Sequence, residues 1–480
     1  MDRIERDPLG EHAVPADAYY GIQTQRAVEN FPISGLRAPD ELVTATILVK
    51  KAAAAANRDT GHLPGEIATA IVDAADEVLA GKLRDQFVVD VYQAGAGTSH
   101  NMNANEVLAN RAAEMLGASK GMYTLVHPND HVNMSQSTND VFPTSTRLAL
   151  LLTHAPLVES ARRLQTALEH KAREFAPILK VGRTHLQDAV PITLGEVFGG
   201  YAACIGRGAD DVDAASEQLK ELNLGATAVG TGLNAGSDYT DAAVNYLASY
   251  TGLPVRRAKN LFRITQSMGD VAAYSGAMRR LSIELGKIAS DLRLLSMGPR
   301  AGLSEIILPA VQPGSSIMPG KVNPVIPEVV NMVCFQVVGN DLTITMAAEA
   351  GQLQLNVFEP VIGFNLFQSI DMLSRGATVL RERCVLGITA NRERMREMVY
   401  HSIGLVTALV PQLGYAQASD IAKTALKTGR GVVELVRERG LMTGEELARA
   451  LDPYKLAGVK PQDETAPRAA DIDEGGGKVP

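Results

Sequence analysis

The chain is poor in cysteine, in net charge and in uninterrupted apolar runs. Only three cysteines occur among 480 residues, at positions 204, 334 and 384. They lie far apart, and two sit in helical apolar patterns, so buried free thiols are expected rather than disulfides or a metal site. The formal net charge is a modest −8. It argues against a nucleic-acid-binding surface but leaves room for a local basic pocket that takes an anion. No run of about 18 uncharged apolar residues exists, so no membrane span is expected. The start, Met1-Asp2-Arg3-Ile4-Glu5-Arg6-Asp7, lacks the apolar segment of a secretory leader, and a cytoplasmic protein is expected. No His/Cys/Asp/Glu cluster has metal-ligand spacing, no Gly-x-Ser-x-Gly elbow is present, and there is no internal repeat.

What is present is apolar periodicity. Hydrophobic residues make up 46% and charged residues 21%, values ordinary for a protein that buries a large core. The length argues for two or three domains. Residues 1–40 read as irregular, and three short helices are expected at 41–57, 65–80 and 103–117. Then the pattern lengthens. Val271, Tyr274, Met278, Leu281, Leu285, Ile288, Leu292 and Leu295 alternate spacings of three and four, a heptad seam over four heptads that predicts one long helix. Leu157, Ala161, Leu164, Leu168, Ala172 and Phe175 form a second such face. Val197, Tyr201, Cys204, Gly208, Val212, Ala215 and Leu219 form a third. A fourth helix is expected over 324–348, capped by Asn323 and opened by Pro324, and a fifth over 361–388. The fourth is apolar nearly all round and is expected to be buried on most sides. One subunit cannot easily cover so many long apolar faces, which points to an oligomer that bundles them. The fold class is therefore mainly α, with expected domains at 1–138, 139–391 and 392–480. The last of these has short helices and, from 461, a polar, Gly-rich tail expected to be disordered.

Four polar stretches fall at the ends of these helices. The richest is Gly314-Ser315-Ser316-Ile317-Met318-Pro319-Gly320-Lys321-Val322-Asn323-Pro324. Its glycines allow backbone N–H groups close to a ligand, and its lysine and amide suit a carboxylate. It is not a P-loop: five residues separate Gly314 from Gly320, and Val322 follows Lys321. The others are Gly95-Ala96-Gly97-Thr98-Ser99-His100-Asn101, Ser135-Gln136-Ser137-Thr138-Asn139-Asp140, and Gly182-Arg183-Thr184-His185-Leu186-Gln187-Asp188, the last a polar link between two long helices. Singly, each reads as a helix cap, a turn or a mobile loop. Together, hydroxyls, amides, a histidine and a lysine without metal ligands suggest one composite site for a small dicarboxylate. His127-Pro128-Asn129-Asp130 reads either as a second anion site or as a plain turn.

The Gly314–Pro324 stretch resembles the signature of the aspartase/fumarase superfamily, and the other three stretches resemble its remaining active-site regions. The resemblance covers about residues 3–460. It implies a three-domain, mainly α subunit whose long helices form a twenty-helix core in a homotetramer, with each active site shared by three subunits. Two reactions compete: loss of ammonia from L-aspartate and hydration of fumarate. Thr98-Ser99, Ser137-Thr138-Asn139, Pro324–Asn331, Ala348–Asn356 and Glu359 resemble the ammonia-lyase branch. His185 and His127–Asp130 resemble the hydratase branch. A related lyase using another amine and a non-enzyme structural homologue are the further alternatives. By resemblance, the catalytic residues are Ser315, a base on a flexible loop, and His185, which with Asn139 holds the amino group. Thr98, Ser137, Thr138 and Ser316 would bind the β-carboxylate. Lys321, Asn323 and Thr184 would bind the α-carboxylate, and Glu328 would orient His185. No metal or other cofactor is required on this reading, and activation by a divalent cation such as Mg2+ is left open.

Overall fold

The computed structural model describes residues 2–456; the tail from 461, expected to be disordered, lies outside the described residues. The helices are α1 (Ile22–Asn30), α2 (Asp40–Asp59), α3 (Gly65–Leu79), α4 (Thr98–Met115), α5 (Thr138–Glu174), α6 (Leu194–Ser216), α7 (Ser237–Thr251), α8 (Leu261–Gln266), α9 (Gly269–Leu295), α10 (Val325–Glu349) and α11 (Glu359–Arg383). Shorter helices follow from Arg392. Two compact units are distinguished, one of residues 1–159, 208–283 and 333–375, the other of 160–207, 284–332 and 376–480.

In the first unit, α2, α3 and α4 enclose a core of Val43, Ile47, Ile71, Ala74, Val78, Val107 and Leu108. The segment read as irregular in fact forms an antiparallel hairpin, β1 (Asp2–Asp7) with β2 (Gly10–Pro15), followed by α1. What orders it is remote from it in sequence. The buried carboxylate of Glu106 on α4 accepts hydrogen bonds from the backbone N–H of Gly21 (2.9 Å), Gln23 (2.9 Å) and Thr24 (3.1 Å), and from the Thr24 hydroxyl (2.6 Å). These are the donors that a helix N-terminus leaves unpaired. A side chain at Gly21 would strike the Tyr123 hydroxyl at 2.3 Å.

The heptad seam of α9 is buried along its length, Val271 to Leu295. α5 runs 37 residues, about 55 Å at 1.5 Å per residue. It tolerates Pro143 in its first turns because the carbonyl that loses its donor, Asn139 O, is taken instead by Asn223 Nδ2 at 3.0 Å. The third apolar face is shifted from its expected position. Val197, Cys204 and Ala215 are only half-buried, and α6 turns Phe198, Ala202, Ile205 and Ala209 inward beside Tyr201 and Val212. Cys334 and Cys384 are buried free thiols, pushed up to about 12 by burial; Cys204 is half-buried and forms no disulfide.

The expectation that α10 is buried on most sides fails within one chain. Val329, Met332, Phe335, Leu342 and Met346 share an exposed face, and Phe335 is 71% exposed. α10 is long and apolar enough to cross a bilayer by composition. Yet its polar groups are matched to protein partners: Asp341 accepts from Ser275 at 2.7 Å, and Asn331 donates to Gly286 O at 2.8 Å.

In the second unit, the stretch read as a polar link is a β-hairpin, β3 (Leu179–Thr184) with β4 (Gln187–Thr193). Helices after residue 392 pack on it through Val181, Val399, Leu405, Leu409, Ile421, Val432 and Leu435.

Replacing Glu106 with alanine orphans four donors at once. It is expected to cost about 3 kcal/mol and to expose residues 16–40 to protease, read from the thermal midpoint and from limited proteolysis. An unchanged midpoint and cleavage pattern would contradict this account of how α1 is held.

Candidate active site

The first unit carries two of the four polar stretches, and they meet. Gly95, Ala96 and Gly97 have φ of +76°, +54° and +90°, so the backbone makes a left-handed turn into α4. Gly97 has no substitute: a Cβ there would lie 2.2 Å from the Phe142 ring of α5. The turn leaves Thr98 exposed at the start of α4, its hydroxyl bonded to Gly95 O. Three residues on, Asn101 Nδ2 donates to Thr138 Oγ1 at 3.1 Å, which ties the two helix starts together.

The Ser137–Asn139 stretch is held by Asp140. Its buried carboxylate accepts from the backbone N–H of Ser137 (3.0 Å), Gly225 (3.0 Å) and Thr227 (2.8 Å). Burial pushes this acid up, against those three bonds and the charge of Lys50. Ser137 Oγ accepts from Asn139 N–H at 3.2 Å, which leaves its own proton free to donate. Asn139 Nδ2 donates to Ala228 O at 2.8 Å.

Beneath these residues lies a polar layer that the sequence reading missed. Lys50 of α2 is wholly buried and donates to Asn133 Oδ1 and Gln136 Oε1, each at 2.9 Å. Burial pushes its ammonium down, and the charge of Asp140 opposes that. His100 is also buried. The Thr46 hydroxyl donates to Leu42 O, so His100 Nε2 is the donor in its 3.0 Å contact with Thr46. Burial and the nearby Lys50 push His100 down to about 4. The signal available in the sequence was a lysine at position 50 on the largely apolar face of α2, helically spaced from Ile47 and Ala54.

His127 answers the question of a second anion site in part. Its Nδ1 accepts from the backbone N–H of Asn129 (3.2 Å) and Asp130 (3.1 Å). These two N–H groups are thus engaged by the chain's own imidazole.

The second unit carries the other two stretches. Thr184 and His185 are exposed at the tip of the β3–β4 hairpin, where His185 and Leu186 have φ of +53° and +59°. A two-residue hairpin turn of this hand demands such angles, usually from Gly or Asn, so this tip is strained. Arg183, next to Thr184, donates to the fully buried Glu305 at 2.7 Å, and Lys180 lies 3.1 Å from the same carboxylate. Those two ion pairs brace the strand that presents the tip.

The loop at 314–324 is closed at its neck. Gly314 N–H donates to Lys321 O at 2.7 Å, and Asn323 Nδ2 donates to Gly314 O at 2.7 Å. A Cβ on Gly314 would lie 2.5 Å from Lys321 O. Inside the loop, Ser315 Oγ accepts from the backbone N–H of Ile317 (3.2 Å) and Met318 (3.0 Å). Two donors on one hydroxyl oxygen favour its negative form. Ser316 and Lys321 are exposed, and Glu328 lies half-buried in the first turn of α10. Within the chain His185 and Glu328 share no hydrogen bond, and none joins the hairpin tip to the loop. Among the described residues no three His, Cys, Asp or Glu side chains are grouped to hold a metal ion.

A fold of long helices with hydroxyl, amide and lysine clusters at their ends belongs to a known class. The chain belongs to the aspartase/fumarase superfamily of lyases: residues 10–339 match the family described as "Lyase", and 405–458 match "Fumarase C C-terminus". It is similar over nearly its whole length to aspartate ammonia-lyases. That of Pseudomonas aeruginosa is 55% identical, over 95% of this chain and 96% of that protein, and that of a Bacillus species is 53% identical, over 95% and 97%. Among solved structures, a fumarate lyase:delta crystallin of Brucella melitensis with bound cobalt superposes with a TM-score of 0.93. It is 54% identical, over 95% of this chain and all of that one. A class II fumarase of Schistosoma mansoni gives 0.91 at 36% identity, over 95% and 99%.

His100 supplies a pH test. Its folded value lies below the unfolded one near 6.5, so the unfolded chain binds more protons and stability falls as pH drops from about 6.5 to 4. His100→Gln is expected to remove up to about 3 kcal/mol of that dependence, read as a thermal midpoint that falls less between pH 6.5 and 4.5 than the wild type's. Parallel curves would refute the buried neutral imidazole.

Proposed function

We propose that this protein catalyses the reversible elimination of ammonia from L-aspartate to give fumarate. The observation that carries the reading is Ser315 Oγ, held by two backbone N–H groups in a glycine-bounded loop on a chain 53–55% identical to aspartate ammonia-lyases. The chemical difficulty is the weakly acidic Cβ proton. Its removal is tolerable only if the electron pair spreads into the β-carboxylate as an aci-carboxylate, which donors must then stabilise. Ser137, Thr138, Ser316 and Thr98, its hydroxyl turned from Gly95 O, are those donors. Ser315, as the alkoxide, takes the proton; loop closure excludes water and brings Lys321 near, so that activation and closure are one event. Lys321, Asn323 and Thr184 hold the α-carboxylate, and Asn323 opens α10, whose positive end favours an anion. Asn139 and His185 hold the amino group. The aci-carboxylate collapses, the Cα–N bond breaks and the Cα=Cβ bond of fumarate forms.

The assembly is a homotetramer, working in the cytoplasm, whose segment 139–391 supplies a twenty-helix core. The uncovered apolar face of α10 supports this, since it must meet another chain to leave water. Glu328, unbonded to His185 in its own chain, then orients the histidine of a neighbour, and each site draws on three subunits. Binding of a divalent activator is a further expectation of this reading.

Mixed with fumarate, the protein is expected to consume its ultraviolet absorbance only when ammonium is present; consumption without ammonium would identify a hydratase instead. Ser315→Ala is expected to abolish turnover while fumarate still binds, and near-normal turnover would remove Ser315 as the base. Phe335→Glu is expected to convert the tetramer to smaller species in analytical ultracentrifugation and to abolish activity with them. An intact tetramer would argue against α10 as the assembly face.

A further inference from the structure

Hydrogen-bond roles in a buried amide network are ambiguous until one member has no choice. Lys50 is that member in its charged form: burial pushes its pKa down to about 7, against the charge of Asp140, and the ammonium, with two amide oxygens at 2.9 Å, donates to both and cannot accept. Its Nζ faces Asn133 at 2.9 Å, so Asn133 must turn its Oδ1 toward the lysine. The same Oδ1 also receives Asn101 Nδ2 at 3.1 Å and Asn105 Nδ2 at 3.2 Å. Asn101 must therefore present its NH2 group to Asn133, and the second hydrogen of that group goes to Thr138 Oγ1 at 3.1 Å. With a lone pair of Thr138 engaged by Asn101, the hydroxyl's own proton is left to point away from the network. The arrangement has a visible cost. Asn101 Oδ1 and Asn105 Oδ1 are buried and have no hydrogen-bond partner. Buried acceptors are rarely left unpaired, so these amide orientations are imposed from elsewhere rather than chosen locally.

We infer that Lys50 is a positioning residue which, acting through Asn133 and Asn101, locks the Thr138 hydroxyl as a donor to the substrate's carboxylate. This rests on the reading of Thr138 as a substrate ligand. The donor role is the one the reaction needs, because charge grows on the carboxylate as the Cβ proton leaves, and a hydroxyl already committed to donate loses nothing in reorganising. Without the ammonium, Asn133 and Asn101 are free to flip, and Thr138 spends part of its time donating inward. The loss therefore falls on kcat more than on the binding of L-aspartate.

The experiment is a double-variant cycle on the assembled enzyme, with kcat and KM for L-aspartate measured for the wild type, Lys50→Met, Thr138→Ala and the pair. Each single change is expected to lower kcat/KM by about tenfold to a hundredfold. The pair is expected to match Thr138→Ala within about twofold, because a residue acting through Thr138 has nothing left to act on. Losses that multiply in the pair, or a folded Lys50→Met enzyme with wild-type kinetics, overturn the inference. If Lys50→Met does not fold, Asn101→Ala takes its place in the cycle with the same two outcomes. Wild-type kinetics in Thr138→Ala would instead overturn the placement of Thr138 at the substrate, and this inference with it. A crippled Thr138→Ala whose loss multiplies with that of Lys50→Met overturns this inference alone.

Discussion

An apolar helix has to be covered, and α10 is not covered by its own chain. Its buried polar members are spent on bonds within the chain, Asn331 and Asp341 to α9 and Asn340 to α11, while Phe335, Leu342 and Met346 face outward. Leaving such a face in water forfeits the burial that drives folding, at roughly 25 cal/mol for each Å² of apolar surface. Much else follows from this constraint. The polar stretches at the helix ends are likewise not all joined within one chain. The two stretches in the first unit meet through Asn101 and Thr138. The hairpin tip and the serine loop of the second unit share no hydrogen bond.

Where Thr98 and His185 are presented, the backbone departs from what most residues prefer. The turn before Thr98 runs through three consecutive left-handed residues, and the tip that carries His185 is left-handed at a histidine and a leucine. Such conformations persist only where surroundings enforce them. Here the enforcing groups are identifiable: the Phe142 ring against Gly97, and the Glu305 carboxylate gripping Arg183 and Lys180 below the hairpin tip. Ser315 follows the same logic on a smaller scale, because a neck closed by Gly314 and Asn323 leaves the loop's own N–H groups to converge on its oxygen.

Buried charge organises the first unit in a second way. Lys50, Asp140, His100 and Glu106 are removed from water within the first unit, and each is compensated by directed bonds. Glu106 and Asp140 are satisfied mainly by backbone N–H groups, so they define the path of the chain. Lys50 is satisfied by side-chain amides, so it defines the orientation of other side chains. That difference separates a group that holds the fold from one that sets a donor.

Sequence alone determined the long helices and the mainly α class, and it marked the polar stretches on which the proposed site rests. A heptad seam such as Val271–Leu295 is a local property, and the glycines, hydroxyls and lysine of 314–324 are legible wherever they fold. It could not place the hairpin at Leu179–Thr193 or the order in residues 2–30, because their partners, Glu305 and Glu106, lie about a hundred residues away and leave no periodic trace. On and just after α6 it placed Tyr201, Gly208, Val212 and Leu219 correctly inside and missed by one residue at Val197, Cys204 and Ala215, since packing against neighbours selects among adjacent apolar positions. It read α10 as buried because periodicity reports that a face must be covered and not by which chain. The polar layer under Thr138 was joined only by tertiary structure: Lys50 on its helix was a visible anomaly, but Asn101 and Asn133 are ordinary helix and loop residues until folding buries Lys50 and Asn101 against the half-buried Asn133.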